Sequence, residues 1–128
     1  MKKSLTLIAV VALLVVVSVV VFAACMPSDP AKAQEKFKKA GYTTTLDQNE
    51  TLLSLREAAL PVKIDGDIAA TLKVANDKYS GEVVYFEKSA DAKKYADYYK
   101  DNSSTYVKKD GKAVFIGDKE AYKMKKAE

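Results

Sequence analysis

Few side chains in this chain are equipped for chemistry. There is no histidine, which removes the usual general base, the commonest metal ligand and any Ser–His or Cys–His nucleophile. Cys25 is the only thiol, so no intramolecular disulfide can form, and a lone cysteine asks for another use. No glycine loop has phosphate-cradling spacing. Asp65-Gly66-Asp67 offers two carboxylates around a turn residue, but calcium loops need further oxygens at fixed steps and a closing Glu. Ile68-Ala69-Ala70-Thr71-Leu72 follows instead, so the tripeptide reads as a turn and no metal site is assigned. Two of the 17 acidic residues could pair for hydrolysis. Nothing in their spacing selects a pair, so no catalytic residue and no cofactor is assigned, and an enzyme is not expected.

The use of Cys25 follows from what precedes it. Met1-Lys2-Lys3-Ser4 is a short positive start, and Leu5 to Ala24 is apolar apart from Thr6 and Ser18. Small residues, Ala23-Ala24, close the stretch directly before Cys25. A charged start, an apolar helix and small residues that fit a peptidase make up a signal peptide. Phe22-Ala23-Ala24-Cys25 resembles the lipobox of bacterial lipoproteins: Leu, a small residue, Gly or Ala, then Cys. Phe22 departs from the usual Leu. The resemblance implies diacylglycerol in thioether linkage to Cys25 and cleavage between Ala24 and Cys25. It also implies a protein held by lipid on the extracytoplasmic face of the cell membrane. Two other fates suit the same residues. About 20 apolar residues can span a bilayer as an uncleaved anchor, and Val21-Phe22-Ala23 could serve ordinary signal peptidase. All three place the domain outside the cytoplasm.

Removing residues 1–24 of 128 leaves 104, enough for one domain that buries roughly 65% of its unfolded surface. The net charge of +4 includes Lys2 and Lys3, so the shortened chain carries +2. That balance argues against nucleic acid, which meets a concentrated basic surface. Residues 25–29 are expected to be a short lipidated tether, reaching at most about 17 Å, and residues 30–128 a single domain.

Helix and strand signals alternate along that domain. Asp29 or Ser28 can cap a helix that has Pro30 at its first position and Gly41 after its last turn. Ala33, Phe37 and Ala40 share one face of it. Tyr42 to Leu46 is β-prone. Thr51 to Leu60 reads either as a short helix or as an extended apolar run. Ile68 to Ala75 and Glu82 to Glu87 are strands around a loop of turn residues, and Ser89 can cap a helix with Ala92, Tyr95, Ala96 and Tyr99 along one stripe. Thr105 to Lys109 and Lys112 to Ile116 flank Asp110-Gly111, a hairpin turn signal. Gly117-Asp118 opens a last helix with Ala121 and Met124 inward.

This order predicts an α+β fold with helices on one face of a largely antiparallel sheet. If 51–60 is helical, residues 42–109 read βαββαβ, the ferredoxin-like order; a strand meander interrupted by one helix is equally allowed. Tyr85-Phe86-Glu87-Lys88-Ser89-Ala90-Asp91-Ala92-Lys93-Lys94-Tyr95, with Gly111 to Ala121, resembles the small, functionally uncharacterised lipoproteins of bacteria. The similarity covers residues 25–128. It implies a strand running into a helix and a closing strand–helix unit, and it carries over no catalytic or binding residue.

Two surface features remain as candidates. Tyr98 lies off the apolar stripe and Tyr79 lies in a loop, where tyrosines can stack on sugars or anchor a protein. Lys119, Lys123, Lys125 and Lys126 crowd the final helix, and Lys108, Lys109 and Lys112 the hairpin tip; near an anionic leaflet such lysines attract headgroups. The leading expectation is a non-catalytic binding or accessory module of the cell envelope, meeting an envelope protein or glycan. A structural lipoprotein at anionic lipid headgroups is the alternative, and a small carboxylate-dependent hydrolase is a third.

Overall fold

A computed structural model describes residues 25–127. The expected signal peptide and its cleavage site at Ala24 lie outside the described residues. The elements are α1 (Pro30–Lys39), β1 (Thr43–Asp47), α2 (Glu50–Ala58), β2 (Ile68–Ala75), β3 (Ser80–Phe86), α3 (Ser89–Asn102), β4 (Tyr106–Asp110), β5 (Ala113–Gly117) and α4 (Lys119–Tyr122).

Local chemistry sets most boundaries. The Asp29 carboxylate accepts from the Ala31 N–H at 3.0 Å and caps α1, while Gly41 ends it at a φ of +91° that a side chain disfavours. Asn49 caps α2 by accepting from Thr51 and Leu52, so 50–58 is a helix and not an extended run. Its apolar residues then divide, with Leu53 buried and Leu52 and Leu55 exposed. The residue preceding α3 is Lys88, not Ser89, and it makes no side-chain cap. Ser89 opens the helix itself and accepts a hydrogen bond from Lys109 at 3.3 Å.

The five strands form one sheet in the order β1-β2-β3-β5-β4, every neighbouring pair antiparallel. The α+β class with helices on an antiparallel sheet is therefore shown. Residues 42–109 run β1-α2-β2-β3-α3-β4, the βαββαβ order expected if 51–60 is helical, with β1, β2 and β3 as consecutive neighbours in the sheet. The chain then crosses through α3 to the edge strand β4 and returns as β5 between β3 and β4.

The helices are shared between both faces of the sheet. Phe37 of α1 and Tyr122 of α4 pack with Leu72, Val83, Tyr85 and Phe115 on one face. Leu53 of α2 and Ala92 and Tyr95 of α3 pack with Val84, Phe86 and Val114 on the other. Cover on one face only, as the helix pattern suggests, would leave half of β3 and β5 bare. Val83, Val84, Tyr85 and Phe86 are buried in succession, as are Ala113, Val114 and Phe115. Since alternate strand residues face opposite ways, such a run needs apolar cover above and below.

Candidate functional site

One end of the sheet carries the chain's thiol. Cys25 is exposed, but the residue after it is 6% exposed and belongs to the core. The Met26 backbone N–H donates to the Asp110 carboxylate at 2.8 Å. The Tyr122 hydroxyl donates to the same oxygen at 2.5 Å, and the Tyr85 hydroxyl donates to the Pro27 carbonyl at 2.9 Å. Residues 25–29, expected to be a tether, are in this way stitched to β3 and β4, and Tyr122 of α4 braces the same Asp110 oxygen. A buried methionine and two hydrogen bonds leave no free stalk.

Asp110 reached this place by the geometry of its turn. It pairs with Ala113 as the last residue of β4, so only Gly111, at a φ of +63°, uses the left-handed conformation that the Asp-Gly signal announces. The Asp110 side chain is left free to accept both bonds. Burial first, then the Asp110 carboxylate, pushes the Tyr122 hydroxyl above its ordinary pKa. Burial likewise raises Tyr85, with Asp29 and Asp110 adding to it.

The lysines divide between the two ends. Lys32 and Lys36 line a hollow of about 400 Å³ together with Cys25, Met26 and Asp29, and Lys112 sits in the adjoining β4–β5 turn. The four lysines expected at headgroups are not gathered there. Lys119 lies over the Tyr106 ring at 5.8 Å, and Tyr106 pairs with Gly117 at the far end of β4. Lys125 lies over the Tyr79 ring at 6.0 Å, and its carbonyl accepts from Tyr42 and Asn76, again at the far end. Lys123 and Lys126 are exposed on either side of it.

The two candidate tyrosines differ. Tyr79 packs against the core under α1 and α4, so it is largely a structural ring. Tyr98 is half-buried on α3, with its ring edge-on to Tyr99 at 5.3 Å. The far end also holds an open hollow of about 530 Å³, lined by Lys73, Ser80, Glu82, Thr105, Ile116 and Asp118 among others.

Residues that sequence reasoning did not single out hold the opposite face. Arg56 of α2 donates two bonds to Glu82 of β3, at 2.7 and 2.6 Å, and a third to the Tyr95 hydroxyl at 3.1 Å. Glu82 keeps this guanidinium more firmly charged than usual, against the burial that opposes it. A signal existed, since Arg56 is the single arginine among the 21 basic residues and a forked pair is what lysine cannot make. Asp91, fully buried, accepts from the backbone N–H groups of Asp65 and Gly66 at 3.0 and 2.7 Å, which fixes the Asp65-Gly66-Asp67 turn. Burial alone would raise its pKa; the Asp65 and Gly66 bonds, with Lys94 and Lys88, hold it below the ordinary value.

Carboxylates do gather in one place. Glu50, Glu57, Asp67 and Glu87 line a hollow beside Leu53, where Glu57 is engaged by the Ile68 N–H at 2.6 Å. Among the described residues, no group of three potential ligands is placed to hold a metal ion, and no helix is long and apolar enough to cross a membrane. No protein-family model, curated protein or solved structure matches the chain.

Proposed function

We propose that the chain is a lipoprotein of the cell envelope, cut before Cys25 and held by acyl chains on that sulfur at the extracytoplasmic face of the membrane. Its folded part acts as a non-catalytic binding or accessory module for an envelope protein or glycan. The observation that carries the reading is the exposed Cys25 sulfur directly next to a seated Met26. A lipid-modified cysteine needs its sulfur accessible at the edge of the fold, and the exposed Cys25 supports that reading. The nearly balanced charge and the absence of histidine support a binding role over catalysis or nucleic-acid contact.

Mass spectrometry of the N-terminus, on protein taken from membranes of a bacterial host, tests the anchor. A chain that begins at diacylated Cys25, and an uncut precursor for Cys25→Ala, are expected. An intact Met1 on the mature protein, or an unmodified thiol on material shed to the medium, defeats it.

A further inference from the structure

We infer that the protein stands on the bilayer on one end of its sheet, with the β4–β5 turn and the N-terminal half of α1 set against anionic headgroups. The inference rests on the proposed reading that the chain meets the membrane at Cys25.

The attachment is stiff. Met26 is held by its backbone N–H on Asp110 and by burial of its side chain, so the sulfur-bearing residue can stray from the body by roughly one residue length, about 4 Å. A lipid fixed so closely lets few orientations meet the bilayer, whereas a long stalk would let the domain tumble. The place of attachment is equally definite. Asp110 and Ala113 close the β4–β5 hairpin, so Cys25 lies at the hairpin-turn end of the sheet. Strands of five to eight residues, at about 3.3 Å per residue, put the other end about 20 Å higher. An uncleaved segment 1–24 would enter the bilayer from the same residue, so the orientation holds for either mode of attachment.

Charge does not select the footing by itself, since Asp67 and Glu87 lie at this end of the sheet and Lys119 and Lys125 at the other; the footing rests on the attachment, and two lysines lie beside it. Lys32 lines the hollow that contains Cys25, and Lys112 is exposed in the turn; both lie where an anionic leaflet attracts cations within a Debye length. The hollow of Glu50, Glu57, Asp67 and Glu87 lies on the face covered by α2, and its repulsion tips the body toward the α1 side. The hollow around Ser80, Glu82 and Asp118 is then lifted clear of the bilayer, where a soluble or envelope partner can reach it.

Depth-dependent fluorescence quenching tests this. The full chain, purified from bacterial membranes in detergent, is returned to vesicles of phosphatidylcholine and phosphatidylglycerol containing a headgroup-attached nitroxide lipid. A fluorophore is placed on Lys112→Cys or, in a second protein, on Asp77→Cys, both exposed positions at opposite ends of the sheet. Several-fold stronger quenching at position 112 is expected, reduced by Lys32→Gln and narrowed further by Asp110→Asn. Equal quenching at the two positions overturns the orientation while leaving the anchor intact, and stronger quenching at 77 reverses it. Mass spectrometry on the same samples reads the state of Cys25 separately. A cleaved chain with a free thiol removes the attachment, and this inference with it.

Discussion

The Asp110 carboxylate accepts the Met26 N–H at 2.8 Å and the Tyr122 hydroxyl at 2.5 Å through one oxygen. One side chain near the end of the sequence therefore holds both the first described residues and the last helix. Removing it leaves two donors in a half-buried place, and each unsatisfied donor costs about 1–3 kcal/mol. Asp110→Ala is expected to lower stability by about 2–4 kcal/mol and Tyr122→Phe by about 1 kcal/mol. Because the two share a bond, the double variant should lose less than the sum. Urea midpoints of the three variants measure this, and strict additivity would show the pair to be uncoupled.

The Arg56–Glu82 pair makes a different demand. Its side chains are 31% and 19% exposed, between the surface pairs that contribute little and the buried ones whose disruption is severe. Arg56→Ala should therefore destabilise by about 1–3 kcal/mol. Arg56→Lys should recover less than half of that, since an ammonium cannot reproduce the fork that also reaches Tyr95. Full recovery with lysine would mean that charge alone matters there.

Acid should loosen the 59–67 loop through Asp91. Its folded-state pKa lies below the unfolded value, so its stabilisation is complete above about pH 4 and is lost as pH falls through the folded pKa. Asp91→Asn should be less stable at pH 7 and should lack this part of the acid dependence. Chemical denaturation between pH 3 and pH 7, on the two proteins side by side, reads the difference. Parallel curves would remove Asp91 from the acid response.

The tyrosines set the alkaline limit. Burial, the largest cause in each case, raises the pKa of Tyr42, Tyr85, Tyr95 and Tyr122. Groups whose protonated form is favoured by folding stabilise fully below the unfolded pKa of about 10 and progressively less above it. Absorbance titration of the eight tyrosines should show an early phase and a late one, the late phase coinciding with loss of circular dichroism. Every tyrosine ionising in one early step, with the fold intact, would contradict the burial of these four.

Much of the fold is legible residue by residue because the signals are local. Asp29 with Pro30 and the Asp110-Gly111 pair act within one turn of chain, and the helix and hairpin they mark are present. What local signals cannot supply is which face an element covers. The helix stripes suggested a single covered face, whereas the unbroken run Val83 to Phe86 already required two. The site was legible only in part. Cys25 stands out by its neighbours in sequence, but the partners that seat the segment beside it, Tyr85 and Asp110, lie 58 and 84 positions downstream of the residues they hold. No periodicity reports such distances. For the same reason the lysines grouped by sequence at 119–126 are not grouped around Cys25 in space.

The bond between Met26 and Asp110 spans 84 residues, and a contact of that separation cannot exist until the hairpin has emerged. A chain threaded N-terminus first through a translocation channel would thus present its cysteine on a loose, accessible strand for most of the passage. On the proposed reading, modification of Cys25 would meet the segment beside it still unseated, although Cys25 itself stays exposed once the seat has closed.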